Sequence, residues 1–287
     1  MENTQFQWAA PKTVPLTNAA FEKNNETACY WFGSATAFIN SYGTTMLIDP
    51  AMAFLPGENG KVVSEYHGCE YLNLPPIDPR EIEHLDAVLY THGDDDHMGP
   101  ETAKQLVHTG CLFYGTNYVK EKLIELGIPE DRIIVHENVE TFEIKNCKVE
   151  LTRAYHPWQL RDPHIYDWQY KLEDCCGYRI ITPDGIVWHH GDTILLEEHF
   201  NNTDVDLIFA DFSDSRNCYH FGRDDALKLF NHLHQADLII QHCGSVYVPE
   251  HRAFNGNPTD LAWKLVAPER LHILGAGEKF VLRRKTQ

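Results

Sequence analysis

The sequence predicts an α/β fold in which two similar halves form a sandwich. Strand-like apolar runs alternate with helix-like segments along the 287 residues, and the second half repeats the pattern of the first. A group of histidine and aspartate residues follows directly on one predicted strand. With 43% hydrophobic and 11% aromatic residues, the chain can bury a large core.

The first half contains several runs of apolar, β-branched and aromatic residues, which are typical of strands. Pro100 near the start and Gly110 near the end delimit its first helix. Val119 and Leu123 have helical spacing in the next helix, and Gly127 ends it. The predicted elements are strands at 28–40, 44–49, 85–91, 111–115, 132–136 and 148–155, and helices at 99–109 and about 116–127.

The second half shows the same alternation. Asp224 and Asp225 in the first turn of one helix suit its positive amino-terminal end. Residues 51–84 form a long proline-rich loop, and the aromatic segment 157–178 either lines a substrate site or packs onto the body. The predicted elements are strands at 178–182, 185–190, 206–211, 237–242 and 271–274, and helices at 223–235 and 257–266.

The most informative feature is the run Leu89-Tyr90-Thr91-His92-Gly93-Asp94-Asp95-Asp96-His97-Met98. Alternate residues of an extended chain face the same way, so His92, Asp94 and Asp96 can converge on one point while Asp95 faces away. His97 begins a turn into a helix and can join them from the side. Histidines at both ends of an acidic run, directly after a strand, indicate a metal site rather than a solvated surface.

The same run resembles the signature of the metallo-β-lactamase-fold hydrolases. It contains Thr-His-x-x-x-Asp-His-x-Gly at residues 91–99, and the usual pattern of that family is His-x-His-x-Asp-His. Asp94 stands where the family has its second histidine. The resemblance implies the four-layer αβ/βα sandwich of that family, and Asp94 changes the metal that we expect.

Four further motifs resemble those of the family and follow in its order. They are the opening hairpin with its Asp-Pro end at 30–50, a strand at 149–155 that leads to His156, the Gly-Asp-Thr turn within 185–193, and the last strand with its terminal histidine at 236–242. The resemblance therefore extends over roughly residues 28 to 282. It is closest to the L-ascorbate-6-phosphate lactonase-like branch, because of the Gly-x-Ala-Thr hairpin and the segment around His220.

The resemblance implies a site for two divalent metal ions. One ion would be held by His92, Asp94 and His156, the other by Asp96, His97 and His242, and Asp192 would bridge both. A water molecule between the two ions would lose a proton and become the nucleophile.

Asp94 makes the implied ligand set richer in oxygen than the usual one. Oxygen-rich ligand sets shift metal preference from zinc toward manganese or iron. Zinc or manganese is therefore the expected metal, and iron is a third candidate. Alternatively, Asp94 orients a ligand histidine instead of binding metal, which would leave one of the two sites weak.

Three residues are candidates for catalytic roles. Asp96 belongs to the ligand set itself. His190 lies two residues before Asp192 and is expected on the same side of the strand, where it would orient a ligand or donate a proton, while His189 would face the opposite way. His220 precedes a predicted helix, and its segment resembles one near the site in the lactonase-like branch; it is a second candidate for protonating the leaving group.

Composition restricts the partners and the location that we expect. The net charge of −18 would repel nucleic acid, although bound divalent ions would still accommodate a small anionic substrate. No apolar run is long enough to cross a bilayer, and eight scattered cysteines are typical of reduced thiols. We therefore expect a cytoplasmic protein with a small-molecule substrate and no membrane partner. A homo-oligomer is compatible with the sequence.

The sequence shows no linker, low-complexity tract or short repeat, so we expect one domain over 1–287 with halves of about 28–150 and 151–282. The expected function is metal-dependent hydrolysis of an ester, lactone or phosphoester bond in a small molecule. The alternatives are a di-iron redox protein of the flavodiiron type, a phosphodiesterase or nuclease, and a metal-binding relative without turnover.

Overall fold

Two seven-stranded β-sheets form the body of the protein, as the computed structural model shows for residues 12–136, 140–157, 168–213, 219–242, 245–246 and 261–284. A small two-stranded sheet accompanies them. The strands are β1 Thr27–Gly33, β2 Thr36–Ser41, β3 Thr44–Ile48, β4 Leu55–Pro56, β5 Val62–Val63, β6 Ala87–Leu89, β7 Leu112–Gly115, β8 Ile133–Val135, β9 Thr141–Ile144, β10 Cys147–Arg153, β11 Cys176–Thr182, β12 Gly185–His189, β13 Leu207–Asp211, β14 Asp237–Gln241, β15 Leu271–His272 and β16 Lys279–Val281.

Each large sheet combines an antiparallel and a parallel part. The first has the order β16-β1-β2-β3-β6-β7-β8, antiparallel from β16 to β3 and parallel from β3 to β8. The second has the order β15-β14-β13-β12-β11-β10-β9, parallel from β15 to β12 and antiparallel beyond. The two sheets are therefore built alike, as the sequence predicts.

The strand order corrects the expected boundary between the halves. β9 and β10 belong to the second sheet although both begin before residue 150. β16 returns to the first sheet and pairs with β1, with Ala28 opposite Val281. The chain thus passes to the second sheet between β8 and β9, and its last strand closes the first sheet.

Three α-helices lie entirely within the described residues: α1 Pro100–Leu106, α2 Asn117–Glu125 and α3 Gly222–His232. Pro100 occupies the first helical position of α1, where a missing backbone N–H costs nothing. The Thr116 side chain accepts a hydrogen bond from the backbone N–H of Val119 and so caps α2. The predicted helix at 257–266 falls partly outside the described residues.

Alternating side chains divide the interior into three apolar clusters, and these define four layers. Met46 and Ile48 face the second sheet, whereas Leu47 between them faces α1 and α2. In the second sheet, Val187 faces the first sheet and Trp188 faces α3. The layers are therefore helix, sheet, sheet and helix, which is the αβ/βα sandwich that the resemblance implies.

No helix in the described part of the chain combines the length and the apolar character that spanning a membrane requires.

His136 lies in a stack of aromatic rings between the sheets. Its ring centroid is 3.9 Å from that of Phe142 and 5.2 Å from that of Tyr114, with nearly parallel planes. Burial lowers the pKa of His136 from its ordinary 6.5 to about 4, although the negative charge of Glu140 opposes this shift. The folded protein therefore holds this histidine neutral under mildly acidic conditions.

We expect His136 to make the protein less stable in acid. Below pH 6.5 the unfolded chain binds a proton at this residue that the folded chain does not bind, so the free energy of unfolding falls until the pH reaches about 4. Through this residue alone, the free energy of unfolding should fall by about 2 kcal/mol between pH 7.5 and pH 5. His136→Phe should remove that part of the loss in urea unfolding at the two pH values. An identical pH dependence in both proteins would contradict the prediction.

Candidate metal centre

The predicted ligands meet at one edge of the sandwich, just beyond the carboxyl ends of four strands. Those strands are β6, β10, β12 and β14. The ligand residues that follow them are His92, Asp94, Asp96 and His97 after β6, His156 after β10, Asp192 after β12, and His242 after β14. Each sheet therefore supplies part of the site.

The first group of ligands contains His92, Asp94 and His156. One carboxylate oxygen of Asp94, Oδ2, lies 3.5 Å from Nε2 of His92 and 3.3 Å from Nε2 of His156. All three residues are buried, with exposed fractions of 1%, 9% and 4%. The structure thus brings the aspartate at position 94 into the same group as the two histidines.

The second group contains Asp96, His97 and His242. Nε2 of His242 lies 3.3 Å from Oδ2 of Asp96 and 3.2 Å from Nε2 of His97. His242 adopts a left-handed backbone conformation, and its backbone N–H donates to the Ser34 carbonyl at 2.7 Å. The opening hairpin therefore holds the last predicted ligand in place.

Asp192 lies between the two groups. Its Oδ1 is 3.1 Å from Nε2 of His97 and 3.7 Å from Nε2 of His242. Its Oδ2 is 3.8 Å from Nε2 of His156 and 3.6 Å from Nε2 of His220. One oxygen thus faces each group, as a bridging carboxylate requires.

The donor atoms fit divalent metal ions. Within each of the sets His92–His156–Asp192 and Asp96–His97–His242, ligand atoms lie within 4.8 Å of one another. Nε2 of His92 is buried and has no hydrogen-bond partner among the residues described. Converging imidazole nitrogens and carboxylate oxygens are the ligands of zinc, manganese and iron sites.

Mutual charges keep the carboxylates of the site ionised. Burial by itself would raise the pKa of Asp94, but His92 and His156 outweigh it and hold that pKa well below its usual range. Burial likewise opposes ionisation of Asp192, but the surrounding histidines, His220 first among them, outweigh it and hold the pKa of Asp192 well below its usual range. Ionised carboxylates are the form that binds a cation.

Helix α2 fixes the loop that carries the first ligands. Nζ of Lys122 donates to the Gly93 carbonyl at 2.6 Å and to Oδ1 of Asp95 at 2.9 Å, so Asp95 faces away from the ligands as predicted. A Cβ atom on Gly93 would lie 2.5 Å from the ring of Tyr118. Only glycine therefore allows this close approach between the loop and α2.

The described part of the aromatic segment packs onto the same helix. The ring of Trp168 lies 5.3 Å and that of Tyr170 lies 4.7 Å from the ring of Tyr118. These two aromatics support the ligand loop through Tyr118. Trp158 and Tyr166, which also belong to the segment, lie outside the described residues.

Asp49, which our sequence analysis did not include among the site residues, orients a ligand from behind. Its Oδ2 accepts from Nδ1 of His97 at 2.8 Å and from the Thr91 hydroxyl at 2.6 Å. A ligand histidine commonly has a carboxylate on its second nitrogen, which fixes the ring and leaves the other nitrogen to the metal. The sequence signal is a carboxylate at the end of the apolar strand β3.

Asp211 is a second residue that the sequence analysis missed. It ends β13, and its Oδ2 lies 2.9 Å from Nδ1 of His220. Burial disfavours the charged form of His220, but the carboxylates of Asp192 and Asp211 outweigh it and raise the pKa to about 9. His220 thus lies beside the ligand groups, as predicted, with Nε2 directed toward Asp192.

The structure corrects the expected position of His190. Its Nδ1 donates to the Gly191 carbonyl, its Nε2 accepts from the Asp211 backbone N–H at 3.2 Å, and its ring packs 4.6 Å from that of Phe221. Burial lowers its pKa to about 3, so it is neutral and turned away from the ligands. Strand alternation failed here because Gly191 has a left-handed φ of +63° and reverses the side on which Asp192 lies.

His189, and not His190, lies on the side of the strand that faces the ligands. It faces the first sheet, where its Nε2 donates to the Ala35 carbonyl at 2.9 Å and its Nδ1 lies 4.0 Å from Oδ2 of Asp49. His189 therefore packs behind the ligands, next to the carboxylate that orients His97.

Two ligand groups bridged by one carboxylate, at the edge of a four-layer αβ/βα sandwich, define the class of metallo-β-lactamase-fold, metal-dependent hydrolases. Comparison with known families agrees with this geometry. The model of the β-lactamase superfamily domain matches residues 44–243, which include all seven predicted ligands. The chain belongs to this family.

Individual relatives are consistent with the assignment. A protein from Herpetosiphon aurantiacus named as a metal-dependent hydrolase is 25% identical over 254 residues, covering 83% of this chain and 90% of the relative. An isothiocyanate hydrolase from Delia radicum gut bacteria has a similar structure, with a TM-score of 0.67 at 18% identity over 90% of this chain and all of that chain.

A structural likeness also extends to an enzyme of another reaction class. CmlA, a diiron β-hydroxylase from Streptomyces venezuelae, superposes with a TM-score of 0.58 at 15% identity, over 91% of this chain and 54% of that chain. At such identities the likeness concerns the fold alone.

Proposed function

We propose that the protein hydrolyses an ester, lactone or phosphoester bond in a small molecule, in the manner of the L-ascorbate-6-phosphate lactonase-like branch. The observation that carries the proposal is the pair of buried ligand groups bridged by Asp192. His92, Asp94 and His156 would hold one divalent ion, and Asp96, His97 and His242 the other. When bound, the ions supply an activated water nucleophile and polarise the bond under attack.

His220 is the candidate for assisting the leaving group. Asp211 accepts the Nδ1–H of His220, so the ring is fixed with Nε2 toward Asp192 and the ligand groups. From this position Nε2 can donate a hydrogen bond to the departing oxygen. Asp96 acts as a ligand in this scheme, and Asp211 acts as a positioning residue for His220.

Charge supports a small substrate over a polymer. The net charge of −18 disfavours nucleic acid, while two divalent ions would offset the three ligand carboxylates locally. An anionic small molecule would then be attracted only at the metal centre itself.

Elemental analysis of protein purified without added metal tests the proposal first. We expect about two equivalents of zinc or manganese per chain, together with turnover in a screen of lactones and phosphoesters. The matched variant Asp94→His, which restores the usual ligand pattern, should raise the ratio of bound zinc to manganese, since imidazole replaces a carboxylate.

Other metal contents would decide against hydrolysis or against the ligand scheme. Two equivalents of iron with visible absorption and no hydrolytic turnover would favour the di-iron redox alternative. One equivalent or none, without turnover, would contradict a dinuclear hydrolase and favour a non-catalytic relative.

A further inference from the structure

A segment within the long proline-rich loop connects the two sides of the metal centre. We call residues 64–73 the bridging segment. Near its start, the Glu65 carboxylate accepts from the backbone N–H groups of Ala53 at 3.1 Å, Glu101 at 2.7 Å and Thr102 at 3.1 Å, and from the Thr102 hydroxyl. These bonds attach the segment to the first turn of α1, which follows directly on the ligand His97.

The other end of the bridging segment is attached near the ligand His242. The backbone N–H groups of Leu72 and Asn73 donate to the Ser245 carbonyl at 2.8 and 3.3 Å. Tyr71 forms an antiparallel bridge with Val246. The segment is therefore attached at one end to the helix that follows His97 and at the other to the stretch that follows His242.

A tight turn holds Tyr66 between these anchors. The backbone N–H of Ser64 donates to the Cys69 carbonyl at 2.8 Å, and that of Cys69 donates to the Tyr66 carbonyl at 3.0 Å. The Tyr66 N–H donates to the Ser64 hydroxyl at 3.1 Å. His67 and Gly68 complete the turn in left-handed conformations. Tyr66 is thus presented by a fixed backbone.

The Tyr66 hydroxyl lies within electrostatic range of the carboxylates of Asp94, Asp96 and Asp192, which come from both ligand groups and the bridge. The residue is only partly buried. Burial raises the pKa of the Tyr66 phenol above its ordinary 10, so the hydroxyl keeps its proton at neutral pH. Tyr66 thus offers a hydrogen-bond donor, carried by a fixed backbone, within electrostatic range of three acidic groups.

We propose that Tyr66 orients the substrate by donating a hydrogen bond to an acyl or phosphoryl oxygen at the metal centre. This inference rests on the proposed function and names a specificity-determining residue for it. It implies a substrate that presents an oxyanion or ester oxygen toward the bridging segment. The site would discriminate against analogues that lack this oxygen, because a partly buried donor would lose its partner.

Inorganic phosphate binding to cobalt-loaded protein tests the proposal without requiring turnover. The visible cobalt spectrum reports the binding of phosphate. We expect Tyr66→Phe, which removes only the hydroxyl, to weaken phosphate binding about ten-fold at unchanged cobalt stoichiometry. The matched control is Tyr71→Phe on the same segment, since the Tyr71 hydroxyl donates to the Ala53 carbonyl at 3.0 Å instead. It should bind phosphate within about two-fold of the native protein.

The outcomes separate this inference from the proposed function. Equal phosphate affinity in Tyr66→Phe and the native protein would overturn the role of Tyr66, as would a native protein that gives no spectral response to phosphate. A Tyr66-dependent affinity in a protein that hydrolyses no lactone or phosphoester would support the role of Tyr66 and refute the proposed hydrolysis. If a substrate is found, Tyr66→Phe should lower kcat/KM on it by a similar factor while Tyr71→Phe does not.

Discussion

Asp192→Ala is expected to lose both metal ions and to lower kcat/KM by at least about three orders of magnitude. The reason is its position, because one carboxylate oxygen faces His97 and His242 and the other faces His156. Its removal would take one ligand from each ion and would leave the buried histidines without a negative charge nearby. Asp192 is the predicted ligand whose two carboxylate oxygens each face a different group.

Metal content by elemental analysis and turnover on the best substrate of the screen measure this effect. Asp95→Asn is the matched control, since Asp95 lies in the ligand loop but contacts Lys122 on α2. It should keep both ions and most of the activity. Two equivalents of metal in Asp192→Ala would refute the bridging role.

Arg270→Met is expected to lower the free energy of unfolding by about 3 kcal/mol. The Arg270 guanidinium is buried and donates to three backbone carbonyls: Phe230 at 2.6 Å, Ala236 at 2.8 Å and Val266 at 2.9 Å. Phe230 lies in the last turn of α3, where carbonyls lack partners within the helix. Methionine fills a similar volume but leaves these acceptors unsatisfied.

Equilibrium urea unfolding with linear extrapolation measures the change. Arg270→Lys should fall between the native protein and Arg270→Met, because an ammonium group keeps the charge but cannot reach three carbonyls in the same geometry. Arg80→Met is a control for loss of an exposed arginine, since the Arg80 side chain is 62% exposed in its ion pair with Asp78. Arg80→Met should lower the free energy of unfolding by less than about 1 kcal/mol. A decrease as small as that in Arg270→Met would contradict the structural role of Arg270.

The strands that could be predicted from sequence are those buried on both faces. β3, β12, β13 and β14 each contain a run of apolar residues, because each lies inside a sheet with a strand on either side and is almost entirely buried. The edge strands β9 and β16 were missed. Both are partly exposed, and short amphipathic segments of this kind carry little signal until their partners are known.

In the candidate site, residues that are close together in the sequence could be predicted, whereas residues that only the fold brings together could not. The ligands after β6 are close in sequence, so their spacing was informative. Asp49, Asp211 and Tyr66 are each isolated in the sequence, and only the order of strands and the course of the bridging segment bring them to the centre. His190 was misplaced because one left-handed glycine changes which side of the chain faces the site.

The ligands also share a property that bears on how such proteins diverge. All seven predicted ligands lie beyond the ends of the hydrogen-bonded strands, on loops, whereas the apolar clusters that stabilise the layers consist mainly of strand and helix residues. We therefore expect a substitution such as aspartate at position 94 to alter the affinity and reactivity of the proposed metal centre at little cost to folding. Selection can change the chemistry of this scaffold one ligand at a time while the sandwich persists, so that relatives with one architecture come to catalyse different reactions.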